Sequence, residues 1–332
     1  MGLKGYRLEN HKKIDHSFVE IDLIYLWVDG NDPKWQAKKK AFTGSVSDHS
    51  ETNNKGRYIS NDELRYALRS VEKHVPWIRR IFIVTDGQQP EWLNTDHPRI
   101  QVVDHKEIMP PEALPSFNST VIEYFLYRIP DLADRFLFAN DDMFFNADLH
   151  PDFFFADDGY PIVRLKRKLF GRWHAPLTAF FKGLAGKKLG QYAQKLADSA
   201  RAVEAKFGRY YSGVPHHNID AFLKSDYRNA VEEVFAGRVQ ESQSHHIRTF
   251  GDIHRSAFSY YALAIGHGHL KYVGRREASR ILVYKHDFMA YMERYRPKLF
   301  CLNDNQHVTD DDRKKIKPFL ETLFPDRSTF EK

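Results

Sequence analysis

The segment RFLFANDDMFF, residues 135–145, places two adjacent carboxylates between two apolar runs. The first run, residues 136–139, has the composition of a buried strand, and Asp141 and Asp142 follow it closely. A buried pair of acids repels itself and loses its hydration, so a positive partner or water is required beside it. The candidates are a metal ion, an arginine, and water at a polar turn.

Three other segments share this strand composition, and each leads into a turn or a polar residue. They cover residues 20–28, 79–87 and 100–105, and helical spacing of apolar residues recurs between strands. Alternating strands and helices predict an α/β fold with a mainly parallel sheet flanked by helices, and the second half predicts a helical elaboration. Such sheets bind ligands beyond the carboxyl ends of their strands. We therefore expect Asp141 and Asp142 at that edge.

Composition and charge limit the class of protein. A chain of 332 residues with 42% hydrophobic and 14% aromatic residues can bury a large core. Its net charge of +6 suggests an anionic partner, which is nucleic acid, a phosphorylated substrate or a membrane surface. The single cysteine, Cys301, excludes an internal disulfide framework. No signal peptide or spanning segment is evident, so we expect a cytoplasmic location with only peripheral membrane contact.

An aspartate pair after a buried strand favours a divalent metal site. Mg²⁺ and Mn²⁺ prefer carboxylate oxygens and keep coordination sites for a diphosphate, so such a pair can hold a nucleotide sugar. The alternative is a plain turn or helix cap, which an Asn-Asp-Asp sequence also favours. The chain has no GxGxxG or GxxxxGK(S/T) phosphate loop. This argues against hydride transfer on the usual dinucleotide fingerprint and against P-loop phosphoryl transfer.

Other polar side chains can complete a substrate site. Acids near the first strand can accept hydrogen bonds from a ribose or a base, and arginines can bind phosphoryl oxygens in a bidentate way. A histidine can serve as a general base. The candidates are Asp22, Asp29, Arg65, Arg248, Arg275 or Arg276, His216, His217 and Asp304. For most arginines and histidines the alternative is a solvated surface position or a satisfied core position.

Four blocks of the sequence, in order, resemble the Stealth family of sugar-1-phosphate transferases, which includes bacterial capsule phosphotransferases. The first block is IDLIYLWVDGNDP, and the second, long and highly specific, runs from NDELRYALRS through IFIVTDGQQPEWLN to FLFANDDMFF. The third comprises VPHHNIDAFL with HHIRTFGDIHRSAFSYY, and the last is KLFCLNDN. The resemblance covers most of the chain from about residue 20 to 310 and is weakest over 160–210.

The resemblance implies a glycosyltransferase-A-like, Rossmann-like α/β fold and a transfer reaction. A UDP-sugar would donate hexose-1-phosphate, expected to be N-acetylhexosamine-1-phosphate, to a sugar hydroxyl. The product is a phosphodiester in a bacterial capsular polysaccharide or exopolysaccharide, and UMP is released. The expected partners are this donor and an oligosaccharide or polysaccharide acceptor, with peripheral contact to a capsule-assembly complex or the inner membrane face, and no nucleic acid.

The composition and the resemblance together suggest four parts and a set of roles. The parts are an N-terminal extension (1–19), a nucleotide-sugar-binding core (20–160), a basic helical insertion or lid (161–212), and a C-terminal part completing the catalytic core (213–332). Asp141 and Asp142 would hold Mg²⁺ or Mn²⁺, and Asp142, His216 and Arg248 would act in catalysis. The expected substrate contacts are Asp22, Asp29, Arg65, Asp304 and Asn305. The histidine doublet leaves the family histidine ambiguous between His216 and His217.

Two alternatives stay open. An ordinary sugar transferase of the same fold would attack the sugar carbon and release UDP. A non-enzymatic polyanion-binding protein would use the basic stretch RLKRKLFGR, residues 164–172, and would bind any polyanion in a salt-sensitive way. In the transferase, the same stretch would guide a growing anionic polymer or touch anionic lipid.

Overall fold

The structure is a computed structural model that describes residues 20–44, 55–184, 186 and 190–332. The predicted N-terminal extension, residues 1–19, lies outside these residues. The strands are β1 (Ile21–Leu26), β2 (Ile81–Thr85), β3 (Ile100–Asp104), β4 (Arg135–Asn140), β5 (Met143–Phe145), β6 (Ile162–Lys166), β7 (Val214–Pro215), β8 (Asp220–Leu223), β9 (His269–Tyr272), β10 (Ala278–Leu282) and β11 (Leu299–Asn303). The helices are α1 (Pro33–Thr43), α2 (Glu63–His74), α3 (His105–Ile108), α4 (Ser119–Tyr124), α5 (His174–Leu184), α6 (Gln191–Phe207), α7 (Lys224–Asn229), α8 (Ala236–Gln243), α9 (Ser256–Ile265), α10 (Phe288–Tyr295), α11 (Asp310–Arg313) and α12 (Ile316–Leu323).

A five-stranded sheet forms the centre of the fold, in the order β3, β2, β1, β4, β8. The first four strands run parallel, and β8 pairs antiparallel with β4. Leu23 of β1 lies beside Ile81 on one side and beside Leu137 on the other. β1 is buried along its whole length, as expected for a middle strand of a sheet covered on both faces. The predicted α/β fold with a mainly parallel sheet flanked by helices is confirmed.

The side chains of β1 alternate between two cores, because successive residues of a strand point to opposite faces. Leu23 and Tyr25 belong to the core that contains the apolar face of α2. Ile24 and Leu26 belong to the core that contains α4 and α9. Each fully buried large apolar side chain stabilises the fold by about 1.5–3 kcal/mol relative to an exposed one, so both faces fix the position of β1.

The C-terminal half completes the core through strands. β8 extends the central sheet, while β11 pairs parallel with β10 and antiparallel with β5. Cys301 of β11 pairs with Met143 of β5, so the end of β11 lies beside the turn between β4 and β5. Residues distant in sequence therefore meet where the sheet ends.

The segment predicted as a basic helical insertion, residues 161–212, is helical only in part. It begins with β6, which pairs with β7 and β9 in a third sheet, and continues into α5 and α6. Composition alone misses this strand because its Arg164 is buried. That side chain lies over the ring of Phe153 and forms an ion pair with Glu277 at 2.9 Å. Within the described ranges, no helix combines the length and the apolar character needed to cross a bilayer.

Candidate active site

A cavity of about 210 Å³ lies beyond the carboxyl ends of β1, β2 and β4. We call it the acidic cavity because five carboxylates line it, those of Glu63, Asp86, Asp141, Asp142 and Asp304. Arg248 and His217 line it as well. This is the edge at which parallel α/β sheets bind ligands, and the acid pair lies there as the sequence predicted.

Two glycines allow the segment after residue 54 to approach this cavity closely. The N–H of Gly30 donates to the carbonyl of Tyr58 at 2.7 Å, and a Cβ at Gly30 would lie 2.2 Å from that oxygen. A Cβ at Gly56 would lie 2.3 Å from Oδ1 of Asp304. Any side chain at either position would therefore displace a wall of the acidic cavity.

Asp141 and Asp142 occupy the turn between β4 and β5, and β11 holds this turn in place. The carbonyl of Asp142 accepts a hydrogen bond from the N–H of Leu302 at 3.0 Å. Its carboxylate Oδ2 accepts one from the thiol of Cys301 at 3.2 Å. Its Oδ1 is buried and has no hydrogen-bond partner within the described part of the chain. Buried polar atoms nearly always have a partner, so a ligand is expected to bind this oxygen.

Glu63, which the sequence interpretation missed, joins the acid pair. It is the first residue of α2, and its carboxylate accepts hydrogen bonds from the backbone N–H of Asn61 at 2.5 Å and from Nδ2 of Asn61 at 2.7 Å. A signal was present, because Glu63 lies in the NDELRYALRS block beside the arginine that was chosen instead. The direction in which each side chain leaves α2 decides whether Glu63 or Arg65 points into the cavity.

The carboxylates of this cluster are held at high proton affinity. Burial raises the pKa of Asp142 to about 6. Burial, together with the charge of Asp142, raises the pKa of Glu63 to about 7. Burial, then Glu63 and Asp142, raises the pKa of Asp141 well above its ordinary value. Each carboxylate lacks solvation and sufficient positive charge, so a cation bound among them would be strongly favoured.

The donor set fits a hard divalent cation that shares its ligands with a substrate. Asp141 and Asp142 provide carboxylate oxygens, one of them without a partner. Within the described residues, no three His, Cys, Asp or Glu side chains are grouped to hold a metal ion by themselves. Mg²⁺ normally takes one or two carboxylates and completes its coordination with water and phosphate oxygens. The arrangement therefore matches an ion that binds together with a phosphorylated ligand.

Arg248 brings a positive charge to the same cavity. Its Nη2 donates to Oγ of Ser119, whereas its Nη1 is buried and lacks a partner among the described residues. No carboxylate of the described residues lies within ion-pair distance of it. A guanidinium with an unused donor is suited to a phosphoryl oxygen, and the catalytic role of Arg248 stays a prediction.

Asp252, not considered from the sequence, holds the loop that carries Arg248. Its Oδ2 accepts hydrogen bonds from Nδ2 of Asn118 at 2.9 Å, from the N–H of Thr249 at 2.9 Å and from Nζ of Lys195 at 3.1 Å. Its Oδ1 lies 2.7 Å from Nδ1 of His245. Asp252 is thus a positioning residue, and its partners from three elements could not be inferred from one sequence segment.

The two adjacent histidines occupy different places. His217 lines the acidic cavity, with its Nε2 3.5 Å from Nδ2 of Asn303 and a backbone φ of 58° in the left-handed region. His216 does not line that cavity, and its Nε2 lies 3.4 Å from Oδ1 of Asp220. The structure therefore brings His217, and not the expected His216, to the acid pair.

Asp22 lies at the opposite end of β1, and its predicted contact with the substrate is wrong. The side chain is fully buried. Its Oδ1 accepts hydrogen bonds from Nε of Arg79 at 2.9 Å and from the N–H of Arg80 at 3.1 Å. Its Oδ2 accepts from Nη2 of Arg79 at 2.6 Å and from the N–H of Ala133 at 2.7 Å. Asp22 instead ties the residues before β2 and β4 to β1.

Arg65 and Asp29 also lie outside the acidic cavity. Residues two positions apart on a helix face roughly opposite directions, so Arg65 points away from the side of α2 that presents Glu63. Its guanidinium lies 4.9 Å over the ring of Trp92. Asp29 lines a neighbouring open groove, where its Oδ1 accepts from the N–H of Asn31 at 2.9 Å.

Of the last predicted pair, Asp304 and Asn305, only the aspartate lies in the acidic cavity. Asp304 lines the acidic cavity, and Nε and Nη2 of Arg313 donate to its carboxylate at 2.7 and 3.1 Å. Burial raises the pKa of Asp304, and Arg313 opposes this rise. Asn305 lies outside the cavity, because its Oδ1 accepts the N–H of His307 at 2.9 Å in a turn. Asn303, two residues earlier, lines the cavity in its place.

Curated relatives of the chain are named as polysaccharide phosphotransferases. An exopolysaccharide phosphotransferase of Streptomyces coelicolor is 34% identical over 94% of this chain and 52% of its own length. The capsular polysaccharide phosphotransferase WcwK of Streptococcus pneumoniae is 29% identical over 94% of this chain and 99% of its own length. The chain spans about half the length of the two Streptomyces relatives. The solved structure of the galactosyltransferase LgtC matches 93% of this chain and 96% of its own, with 13% identity and a TM-score of 0.45.

Three family models match the chain in the same order as the blocks of the sequence. Stealth protein conserved region 1 matches residues 19–47, conserved region 2 matches 57–163, and conserved region 4 matches 292–332. Together these regions cover more than half of the chain, and they contain Glu63, Asp141, Asp142 and Asp304 of the acidic cavity. The chain therefore belongs to the Stealth family.

Proposed function

We propose that the protein transfers a sugar-1-phosphate from a nucleotide sugar to a hydroxyl of a growing polysaccharide and so forms a phosphodiester. One observation carries this proposal: the acidic cavity combines an unpartnered oxygen of Asp142 with an unpartnered guanidinium nitrogen of Arg248. A diphosphate with a divalent cation matches both, since the cation binds carboxylates and the guanidinium binds phosphoryl oxygens. The names of the relatives support the same chemistry.

The donor we propose is a UDP-sugar, with N-acetylhexosamine-1-phosphate as the transferred group. The acceptor oxygen forms a bond to the phosphorus that bears the sugar. The bond between that phosphorus and the bridging oxygen of the diphosphate breaks, so UMP leaves with the bridging oxygen. The bond between the sugar carbon and its oxygen stays intact, and the anomeric configuration is retained.

Asp141 and Asp142, with Glu63 beside them, would hold Mg²⁺ or Mn²⁺. When bound, the ion would supply Lewis-acid stabilisation of the charge on the diphosphate oxygens. Arg248 would bind the transferred phosphoryl group through its free Nη1, in a position fixed by Asp252 and its partners. Positioning and charge stabilisation dominate phosphoryl transfer, so these fixed groups would account for most of the rate enhancement.

His217 is the general base that we propose for the acceptor hydroxyl. Burial, then the charges of Arg280 and Arg255, lowers its pKa to about 3, so without a donor in the cavity its imidazole is neutral and only weakly basic. An anionic donor in the acidic cavity would offset these positive charges and raise the basicity of the ring. The contact with Asn303 orients the ring toward that cavity.

The test is to incubate the purified chain with a panel of UDP-sugars, an oligosaccharide acceptor and Mg²⁺. We expect a phosphodiester signal in the phosphorus NMR spectrum and UMP as the released nucleotide. Release of UDP would instead identify an ordinary glycosyltransferase. Salt-sensitive binding of any polyanion without consumption of nucleotide sugar would identify a binding protein. Asp142→Asn is the matched control, because it keeps the shape of the side chain and removes its charge.

We also propose peripheral attachment to the inner membrane face through α5 and the residues before it. Six large apolar side chains there are each 61–77% exposed: Leu169, Phe170, Trp173, Phe180, Phe181 and Leu184. The sequence contains no Asp or Glu between Asp158 and Asp198, whereas Arg172 and Lys182 lie among the apolar residues. Aromatic and basic side chains on one short helical segment match an anionic lipid surface.

Flotation with vesicles of phosphatidylglycerol or of phosphatidylcholine tests this attachment. We expect binding to the anionic vesicles that weakens with salt, and about a tenfold loss in the double variant Phe180→Ser, Phe181→Ser. Met289→Ser, on α10 and 51% exposed, is the control and should bind like the parent protein. Self-association in light scattering without vesicle binding would assign this face to a second copy of the chain.

A further inference from the structure

A second cavity, of about 350 Å³, lies between α6, the pair β6 and β7, and β10. Within the described residues, no aspartate or glutamate lines it. We call it the basic cavity, because its lining includes Lys166, Lys168, His174, His216, His217 and Arg280. The proposed reaction at the acid pair uses only one of these six side chains.

The cations of the basic cavity are not neutralised by the protein. Lys166, Lys168 and Arg280 form no ion pair with any carboxylate in the described part of the chain. All three line the same cavity, and burial, then the charges of Arg280 and Lys168, lowers the pKa of Lys166. Arg167, between the two lysines, lies over the ring of Tyr272 and does not line the cavity. Three clustered cations without an acid create a site for an anion.

His216 points to a polar ligand independently of these charges. The side chain is 1% exposed and lines the basic cavity. Its Nδ1 has no hydrogen-bond partner among the described residues, while its Nε2 lies 3.4 Å from a carboxylate oxygen of Asp220. Buried polar atoms in native proteins nearly always have a partner, so a ligand in this cavity is expected to provide one.

The remaining wall of the basic cavity suits a sugar. Four tyrosines line it, Tyr192, Tyr210, Tyr211 and Tyr260. The rings of Tyr211 and Tyr260 are stacked, with their centroids 5.8 Å apart. Aromatic rings offer an apolar face together with a polar edge, which matches the mixed surface of a sugar ring. The cavity therefore fits a sugar that carries an anionic group better than a bare ion.

His217 connects the two cavities, because it lines both. A sugar in the basic cavity can thus present a hydroxyl to the same imidazole that faces the acid pair. We propose that the basic cavity is the acceptor subsite and that it binds the phosphodiester next to the terminal sugar of the acceptor chain. This rests on the proposed function, since each transfer creates a phosphodiester and the product becomes the next acceptor.

The proposal makes the acceptor anionic, and this can be tested by binding alone. The probe is a disaccharide of N-acetylglucosamine joined by a phosphodiester, and the comparison is the neutral disaccharide chitobiose. Isothermal titration calorimetry in the presence of UDP should show the phosphodiester probe binding at least about tenfold more tightly. Equal affinity for the two disaccharides would overturn the proposal.

Single substitutions locate the bound phosphodiester. Lys168→Ala and Arg280→Ala should each weaken binding of the phosphodiester probe by about tenfold and leave chitobiose unchanged. Arg167→Ala is the matched control and should change neither, because its side chain lies outside the cavity. An equal loss in all three variants would mean non-specific attraction. A loss confined to Arg248→Ala would place the probe in the acidic cavity. Either result would contradict the acceptor subsite.

Kinetics separate failure of this proposal from failure of the proposed function. Transfer from UDP-N-acetylglucosamine to water by the parent protein requires the acidic cavity and no acceptor, so it tests the proposed function by itself. In the full reaction, Lys168→Ala should raise the KM for the phosphodiester acceptor about tenfold with little change in the KM for the donor. A raised donor KM with an unchanged acceptor KM would overturn the acceptor subsite alone. Absence of any nucleotide-sugar turnover in the parent protein would overturn the proposed function, and the calorimetry would still decide the subsite.

Discussion

The two cavities are neighbours with opposite charge. The acidic cavity is lined by five carboxylates, whereas no carboxylate of the described residues lines the basic cavity. His217 belongs to both. Both proposed ligands are phosphates, so the difference shows two ways of binding the same group. The acidic cavity would admit a diphosphate only with a cation, and the basic cavity would admit a phosphodiester directly.

Removing one charge from the acid pair should produce the largest effect. Asp142→Asn should lower turnover by about a thousandfold or more, because a carboxylate that holds the cation near the diphosphate is lost. The variant should unfold at a temperature no lower than the parent protein in the absence of metal, since a poorly compensated buried charge is removed.

Calorimetric binding of the phosphodiester probe supplies the control, and Asp142→Asn should leave it unchanged. Substantial turnover of this variant in the presence of a chelator would contradict the assignment of the acidic cavity to a cation.

The second-largest effect concerns the stability of the fold. Asp22→Asn should destabilise the fold by about 3 kcal/mol, because it leaves Arg79 without its buried anionic partner. Urea unfolding measures this loss, and the donor KM of the surviving folded protein should stay unchanged. Glu20→Gln is the matched control, because that carboxylate pairs with the same arginine from an exposed position. A raised donor KM without loss of stability would show that Asp22 contacts the substrate.

Arg248→Lys should reduce turnover by about a hundredfold. A lysine keeps the charge but cannot retain the contact with Ser119 and bind a phosphoryl oxygen at the same time. Steady-state kinetics measure the loss, and Arg228→Lys, at an exposed arginine on α7, should behave like the parent protein. Near-normal turnover in Arg248→Lys would show that this guanidinium is structural.

The smallest effect is a dependence of stability on pH. The folded protein binds protons at Asp142 and Glu63 between about pH 4.5 and 7, where the unfolded chain has released them. These groups therefore make the free energy of unfolding fall as the pH rises through this window. Scanning calorimetry of the metal-free protein should show Tm falling by about 2–4 °C more in the parent than in Asp142→Asn from about pH 5.5 to 8.

Added Mg²⁺ should raise the Tm of the parent protein more at pH 8 than at pH 5.5, because protons compete with the cation for the same carboxylates. An equal rise at the two pH values, or a rise of the same size in Asp142→Asn, would place the cation elsewhere.

Sequence patterns predict the strands of this molecule better than the tertiary contacts of its side chains. Strand composition located β1, β2, β3 and β4, and the edge rule then placed Asp141 and Asp142. The same reasoning failed for Asp22. Every residue of β1 is buried, so the strand pattern does not show whether an acid within it contacts a ligand or the backbone at the opposite end. It also missed Glu63 in favour of Arg65, since both lie in one helical block and only the phase of α2 separates them.

The basic stretch shows a second limit of composition. In a strand, alternate residues share a face, so Arg164 and Lys166 of β6 belong to the same face. Arg164 and Lys166 follow this alternation, yet one is neutralised by Glu277 and the other lines the basic cavity. Glu277 is more than 100 residues away, and no local pattern identifies such a partner. Asp252 escaped notice for the same reason, because its partners come from the residue before α4, from α6 and from its own loop.

The left-handed backbone of His217 decides how its imidazole should be replaced. An alanine at a φ of 58° would add a backbone penalty of about 1–2 kcal/mol that has no connection with proton transfer. Asparagine tolerates that conformation far better, and it keeps a polar side chain without a basic nitrogen. A loss of turnover in His217→Asn could then be read as a chemical result, whereas the same loss in His217→Ala would mix chemistry with a misplaced loop.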